Sequence, residues 1–113
     1  SLLASVAGTP FATPLGDALL FLEDIDEPLY RIDRMLTQLD LSGSLTGIRA
    51  MILGASIASP SDADALAQIR DRAGDRTLVC GLPAGHTTPN LTLPLGCPAR
   101  IDTESSHLVI EHP

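Results

Sequence analysis

Two distant segments of this sequence place groups that can move protons next to apolar runs. Glu23 closes the apolar run that begins at Ala18, and His86 stands in a loop of Gly, Pro and Thr from Gly81 to Asn90. A carboxylate that accepts a hydrogen bond from an imidazole fixes its tautomer and stabilises the imidazolium formed during proton transfer. Glu23 and His86 are therefore the candidate catalytic residues, and they need a nucleophile to complete a charge-relay site.

The sequence offers no convincing nucleophile for this pair. Loop hydroxyls occur at Ser42, Ser44, Ser56, Ser59, Thr87 and Thr88. None of them sits in the Gly-x-Ser-x-Gly pattern that exposes an attacking serine at a strand-to-helix turn. Cys97 follows Gly96 at a turn but has no visible activating base. We expect the chain to hold a base and its orienting acid without the group that they activate.

Other polar residues near these segments have simpler interpretations. The acids Asp24, Asp26 and Glu27 are expected to be solvated or to interact with a helix start, since exposure is their usual state. His107 and His112 are expected on the surface. A metal site would need more ligands with tight spacing than the acidic turn and one well-placed histidine supply. No metal ion and no cofactor is predicted.

Composition narrows the class of protein. The chain has 113 residues, 44% of them hydrophobic and 3% aromatic, and a net charge of -7. One compact domain with an aliphatic core fits this length, and the negative charge argues against nucleic acid as a partner. No apolar stretch approaches the length of a membrane span. Cys80 lies in an apolar run, and both it and Cys97 are expected to be structural thiols, which fits a cytoplasmic protein.

The order of predicted elements indicates an α/β domain. After an opening helix, strands are predicted at residues 18–23, 50–53 and 77–80, separated by helices from Leu29 and from a cap at Ser61. Three further strands, at 91–95, 99–102 and 108–111, should form a small antiparallel set. In a parallel sheet, the residues that follow strands share one edge. Glu23 and His86 should meet there.

Several blocks of the sequence together resemble one known family. They are Ser1-Leu-Leu-Ala-Ser5, Gly8-Thr-Pro10, Phe21-Leu-Glu-Asp24 with Glu27, Tyr30-Arg-Ile-Asp-Arg-Met-Leu36, Ile52-Leu-Gly54, Gly81-Leu-Pro83 with Gly85-His86, and Asn90-Leu-Thr-Leu-Pro-Leu-Gly96. In this order and spacing they are similar to the C-terminal domain of the serine-type LD-carboxypeptidases. The resemblance implies a swivelling β/β/α-type domain, with a mostly parallel sheet flanked by helices plus a small antiparallel sheet.

The resemblance also implies a function. Members of the family use a Ser-His-Glu triad to cut an L,D-peptide bond, which releases the terminal D-Ala from murein tetrapeptides during cytoplasmic cell-wall recycling. The matched positions put the triad Glu at Glu23 and the triad His at His86. The serine belongs to a separate N-terminal domain. We therefore expect residues 1–113 to be one domain of a longer protein, inactive alone, with that domain and a murein peptide as partners and a homodimer as a further option.

Three alternatives stay open from the sequence, and one of them is a purely structural dimerisation domain. The substrate could be a microcin C-type peptide conjugate, since much of the specificity surface is expected outside this chain. A different class of function is a phosphohistidine carrier, because swivelling domains also occur in that role and the loop Gly85-His86-Thr87-Thr88 loosely resembles a phosphorylatable one. A carrier would give no role to the Glu23 segment.

Overall fold

The structure, a computed structural model, describes residues 1–57 and 63–111. Its elements in chain order are α1 (Leu2–Val6), β1 (Leu19–Leu22), α2 (Leu29–Leu41), β2 (Ala50–Gly54), α3 (Ala63–Ala73), β3 (Thr77–Leu82), β4 (Ala99–Asp102) and β5 (His107–Ile110). The predicted helix cap at Ser61, the loop hydroxyl of Ser59 and the surface residue His112 lie outside the described residues. None of the described helices has the length and apolar character needed to cross a membrane.

The first three strands form a parallel sheet in the order β1-β2-β3. Residues Leu19 to Leu22 of β1 pair with Ala50 to Leu53 of β2, which pairs on its other side with β3. Every residue of β2 is buried. A central strand covered on both faces needs a continuous apolar run, and this is why the sequence of β2 does not alternate.

Helices cover one face of this sheet. In α2 the buried residues Ile32, Leu36 and Leu39 recur at helical spacing, and in α3 Ala65, Ile69 and Ala73 do the same. These stripes pack on strand residues of alternate positions, among them Leu20, Leu22, Met51 and Leu53. Pro28 precedes α2 at its N-cap, with φ −59° and ψ 144°, one position before the first helical turn where the sequence predicted it.

A two-stranded antiparallel sheet, β4-β5, lies on the opposite side of the parallel sheet. A cleft of about 430 Å³ separates them, with Phe21 and Ile52 on one wall and Leu108 and Ile110 on the other. The domain therefore has three layers: helices, parallel sheet and antiparallel hairpin. This confirms the predicted α/β class with its β/β/α layering.

The strand predicted at residues 91–95 is wrong. The segment carries no strand, so the antiparallel set has two members rather than three. Pro94 interrupts it and Pro89 and Pro98 flank it, and a proline has no N–H to donate to a ladder. The N–H of Leu91 donates instead to the carbonyl of Pro83 at 2.7 Å. The segment is apolar, but its backbone lacks an N–H at Pro94 that a strand would need for pairing.

The environment of Cys80 also differs from the prediction. Cys80 is exposed and Cys97 is partly buried, and both are free thiols. In the parallel sheet β3 pairs with β2 alone, so it is an edge strand. An apolar run on an edge strand does not guarantee burial, because its outer side lacks a neighbouring strand.

Candidate active site

The site lies where the three parallel strands end. Glu23 directly follows β1, Gly54 ends the central strand β2, and His86 lies in the loop after β3. Because β2 stands between the other two strands, the side chain of Glu23 must pass over the end of β2 to reach His86. A Cβ on Gly54 would lie 2.6 Å from Cγ of Glu23, so glycine at this position is what leaves the path open.

Glu23 holds His86 through both its ring and its backbone. Nδ1 of His86 lies 2.8 Å from Oε2 and 2.9 Å from Oε1 of Glu23, and the backbone N–H of His86 donates to Oε1 at 3.0 Å. An ionised carboxylate can only accept, so the neutral imidazole carries its proton on Nδ1. Its Nε2 then has a free lone pair. No described residue forms a hydrogen bond with Nε2.

The two side chains differ sharply in exposure. The side chain of Glu23 is 12% exposed, whereas that of His86 is 57% exposed. A cavity of about 50 Å³ borders Glu23 and is lined mainly by apolar residues, among them Leu22, Ile32 and Leu36. A carboxylate shielded from water interacts more strongly with a nearby imidazolium than one in bulk solvent does. The arrangement can therefore stabilise a positive charge on His86 while leaving its outer edge open.

The loop around His86 is held by further contacts that the sequence did not reveal. Gly85 has φ 101°, and a Cβ on it would overlap the side chain of Glu23. The side-chain Oδ1 of Asn90 accepts the N–H of Gly85 at 2.9 Å. Ser56, in the turn after β2, donates from Oγ to the carbonyl of His86 at 2.7 Å. The sequence marked Ser56 only as a loop hydroxyl.

The acidic turn before α2 is not part of this contact. Glu27 pairs with Arg31 at 3.4 Å, and Asp26 is exposed. The backbone N–H of Ile25 donates to Oδ1 of Asp24 at 3.0 Å. Asp26 is solvated as expected, whereas the side chains of Asp24 and Glu27 are only 17% exposed and neither caps α2, so the prediction is wrong for these two acids. Within residues 1–57 and 63–111, no three metal-ligating side chains cluster.

The remaining hydroxyl and thiol candidates do not complete the site. Ser42 and Ser44 bond to each other beyond the end of α2, and the Ser42 hydroxyl also lies 3.0 Å from the carbonyl of Leu39. Cys97 lines the cleft beside the hairpin, whose lining includes neither Glu23 nor His86. His107 is exposed on β5, as expected. The hydroxyl of Ser56 does bond to His86, but to its backbone carbonyl and not to its imidazole.

Comparison with known proteins identifies the family. Residues 1–101 match the family model described as the LD-carboxypeptidase C-terminal domain. The chain therefore belongs to the C-terminal domain family of the LD-carboxypeptidases. This confirms the family that the sequence blocks indicated.

Individual relatives agree with this assignment. The chain is 36% identical over 118 residues to the probable murein peptide carboxypeptidase of Bacillus subtilis, covering 98% of this chain and 37% of that protein. A Streptomyces coelicolor protein with a provisional carboxypeptidase name is 38% identical over 120 residues, covering 100% of this chain and 37% of the relative. This chain thus spans little more than a third of the length of these relatives.

A solved structure shows the same fold. The crystal structure of muramoyltetrapeptide carboxypeptidase from Oxalobacter formigenes superimposes with a TM-score of 0.78 at 34% sequence identity. The match covers 99% of this chain and 43% of that one. The similarity extends over the parallel sheet, its helices and the hairpin, since nearly all of the chain is included.

Proposed function

We propose that this chain supplies the general base and its orienting acid to a serine-type LD-carboxypeptidase. His86 is the base and Glu23 the acid. The observation that carries the proposal is the contact of Nδ1 of His86 with a shielded carboxylate, at 2.8 Å, beside an exposed imidazole edge. Family membership adds the reaction class, and the part of the relatives that this chain does not span has room for the nucleophile domain.

The chemistry divides between two domains. As a serine Oγ of the nucleophile domain attacks the scissile carbonyl, Nε2 of His86 takes the hydroxyl proton. The imidazolium that forms keeps its Nδ1–H on Glu23, whose negative charge stabilises it. Nε2 then gives the proton to the nitrogen of the leaving amino acid, and a second cycle with water frees the serine. The donors to the oxyanion lie beside the serine, outside this chain.

The proposed substrate is a murein tetrapeptide that loses its terminal D-Ala. Two relatives are named for murein or muramoyl peptides, and they cover nearly the whole of this chain at 34–36% identity. The proposed setting is cell-wall recycling in the cytoplasm, which suits two cysteines that remain unpaired.

The test is hydrolysis by the full-length protein that carries this chain. Purified protein is incubated with a murein tetrapeptide that ends in D-Ala and, as the matched control, with the same peptide ending in L-Ala. Free alanine is quantified by chiral chromatography. The proposal predicts release from the first peptide and little from the second. No release from the D-Ala peptide, equal release from the L-Ala peptide, or acid-labile phosphate on His86 after incubation with phosphoenolpyruvate would contradict it.

A further inference from the structure

The backbone around His86 is fixed by two side chains that form no hydrogen bond with its imidazole. The carbonyl of His86 accepts a hydrogen bond of 2.7 Å from Oγ of Ser56. The N–H of Gly85 donates to Oδ1 of Asn90 at 2.9 Å. Between these two contacts, the N–H of His86 itself donates to Glu23. Three successive peptide groups of this backbone are therefore each held by a different side chain.

These contacts tie together separate parts of the site edge. Ser56 belongs to the turn that follows the central strand β2, so its bond fastens the histidine loop to the most buried strand of the sheet. Asn90 belongs to the histidine loop and lies five residues beyond Gly85, so its bond closes that loop on itself. The N–H of Thr87 also donates to the carbonyl of Gly85 at 2.9 Å. The loop conformation is thus fixed from outside and from within.

Fixing the backbone constrains the imidazole. Oε1 of Glu23 accepts from both the N–H and the Nδ1 of His86, at 3.0 Å and 2.9 Å. The Gly85–His86 peptide group, which carries this N–H, lies between the groups held by Asn90 and Ser56. A rotation of it would move the N–H away from Oε1, and the ring would have to follow or lose its second contact. A base must stand within hydrogen-bond reach of the proton that it takes, so such a rotation would also misplace Nε2.

We propose that Ser56 and Asn90 are positioning residues for His86. They hold the Ala84–Gly85 and His86–Thr87 peptide groups, one on each side of the Gly85–His86 group, and thereby keep Nδ1 on Glu23 and Nε2 directed at the incoming hydroxyl. This inference rests on the proposed function, because it gives the two residues a role in the same reaction. It also assigns to the Ser56 hydroxyl a purpose other than nucleophilic attack, since its hydrogen is committed to a backbone carbonyl.

The chain offers matched substitutions. Ser56→Ala removes the hydroxyl and Ser56→Thr retains one. Asn90→Ala removes the acceptor oxygen and Asn90→Asp retains one. The control is Ser5→Ala, because Ser5 also donates from Oγ to a backbone carbonyl, that of Leu2, at the same distance of 2.7 Å, but on α1. If breaking any hydroxyl-to-carbonyl hydrogen bond were enough to lower activity, Ser56→Ala and Ser5→Ala would lose activity equally.

The first readout is steady-state hydrolysis of the tetrapeptide by the full-length protein. Ser56→Ala and Asn90→Ala should each lower kcat about three- to tenfold, the effect of one lost hydrogen bond, with KM nearly unchanged. Ser56→Thr and Asn90→Asp should recover most of the loss, and Ser5→Ala should keep the wild-type kcat. Wild-type kcat in both Ser56→Ala and Asn90→Ala, or an equal loss in Ser5→Ala, would overturn the inference.

The second readout does not depend on activity. In the full-length protein labelled with ¹⁵N-histidine, the ring shifts of neutral His86 should report a protonated Nδ1 and a bare Nε2. Ser56→Ala should shift the averaged signals towards the other tautomer, and Ser5→Ala should not. A wild-type protein without peptidase activity that shows this tautomer change would refute the proposed function alone. An active protein whose His86 signals are unmoved by Ser56→Ala would refute the positioning role alone.

Discussion

The side chain of Glu23 reaches His86 across the end of a strand that lies between them, and the absence of a side chain at Gly54 makes this possible. A Cβ at Gly54 would lie 2.6 Å from Cγ of Glu23 and 2.8 Å from the carbonyl oxygen of Ala84. Neither approach is tolerated without movement. Gly54 therefore shapes the site although it carries no functional group.

Gly54→Ala should displace Glu23 and disable the site. We expect kcat of the full-length protein to fall at least tenfold, because a displaced carboxylate no longer orients the imidazole, and stability to fall by about 1–3 kcal/mol from overpacking. Kinetics and urea unfolding measure the two effects. Gly16→Ala is the control, since a Cβ there meets open space. A Gly54→Ala enzyme with normal kcat would show that Glu23 does not need this path.

Cys80 is an exposed residue whose thiol has a raised pKa. Partial burial raises the pKa of its thiol, and the positive charge of Arg70 offsets only part of that effect. A higher pKa leaves less thiolate at a given pH, so alkylation should be slower and its pH midpoint higher in the folded protein than in urea. Iodoacetamide labelling of a Cys97→Ser variant measures this. A folded-state midpoint equal to or below the unfolded one would contradict it.

At the scale of elements, the central strand β2 is expected to contribute most to stability, because every one of its residues is buried. Leu53 is 0% exposed and packs in the cluster formed by α2 and α3, whereas Leu41, at the end of α2, is 84% exposed. Leu53→Ala should lower the free energy of unfolding by about 2–5 kcal/mol, because it leaves a cavity in a close-packed core. Leu41→Ala should change it by less than about 0.5 kcal/mol. Urea unfolding measures the free energy of unfolding of both variants. Similar losses in Leu53→Ala and Leu41→Ala would show that the burial of these two residues is wrongly assigned.

The elements that the sequence predicted well are those with a strong local signal. Apolar residues at helical spacing gave α2 and α3, and the uninterrupted apolar run gave β2 as a buried strand. The segment 91–95 has the same apolar character, but Pro94 within it has no N–H for pairing, and Leu95 is 77% exposed. Hydrophobicity alone does not distinguish a strand from an apolar loop when backbone donors are missing.

The site itself was only partly accessible from the sequence. Glu23 and His86 could be named because a carboxylate and an imidazole follow strands that share a sheet edge. Ser56 and Asn90 could not, because a hydroxyl and an amide in loops acquire a role only when those loops meet. The contact of Ser56 with His86 joins positions 30 residues apart, and no local pattern encodes it.

At the scale of the whole molecule, the proposed reaction needs a nucleophile that we place outside this chain. It spans 37% of its Bacillus subtilis relative, and no described hydroxyl bonds to Nε2 of His86. We therefore expect residues 1–113 alone to release no D-Ala from the tetrapeptide above the buffer rate, while the full-length protein does. Chiral chromatography of both reactions measures this. Release by residues 1–113 that disappears in Ser56→Ala would instead place the nucleophile within this chain.

The central claim is that Glu23 and His86 act as one unit, and a double-mutant cycle on the full-length protein tests it most directly. The kcat/KM for tetrapeptide hydrolysis is measured for Glu23→Gln, His86→Ala and the double variant. Residues that act together are not additive, so His86→Ala should lose about 10³-fold or more and the double variant should lose no more than that. Losses that multiply, or a His86→Ala enzyme with wild-type kcat/KM, would contradict the account.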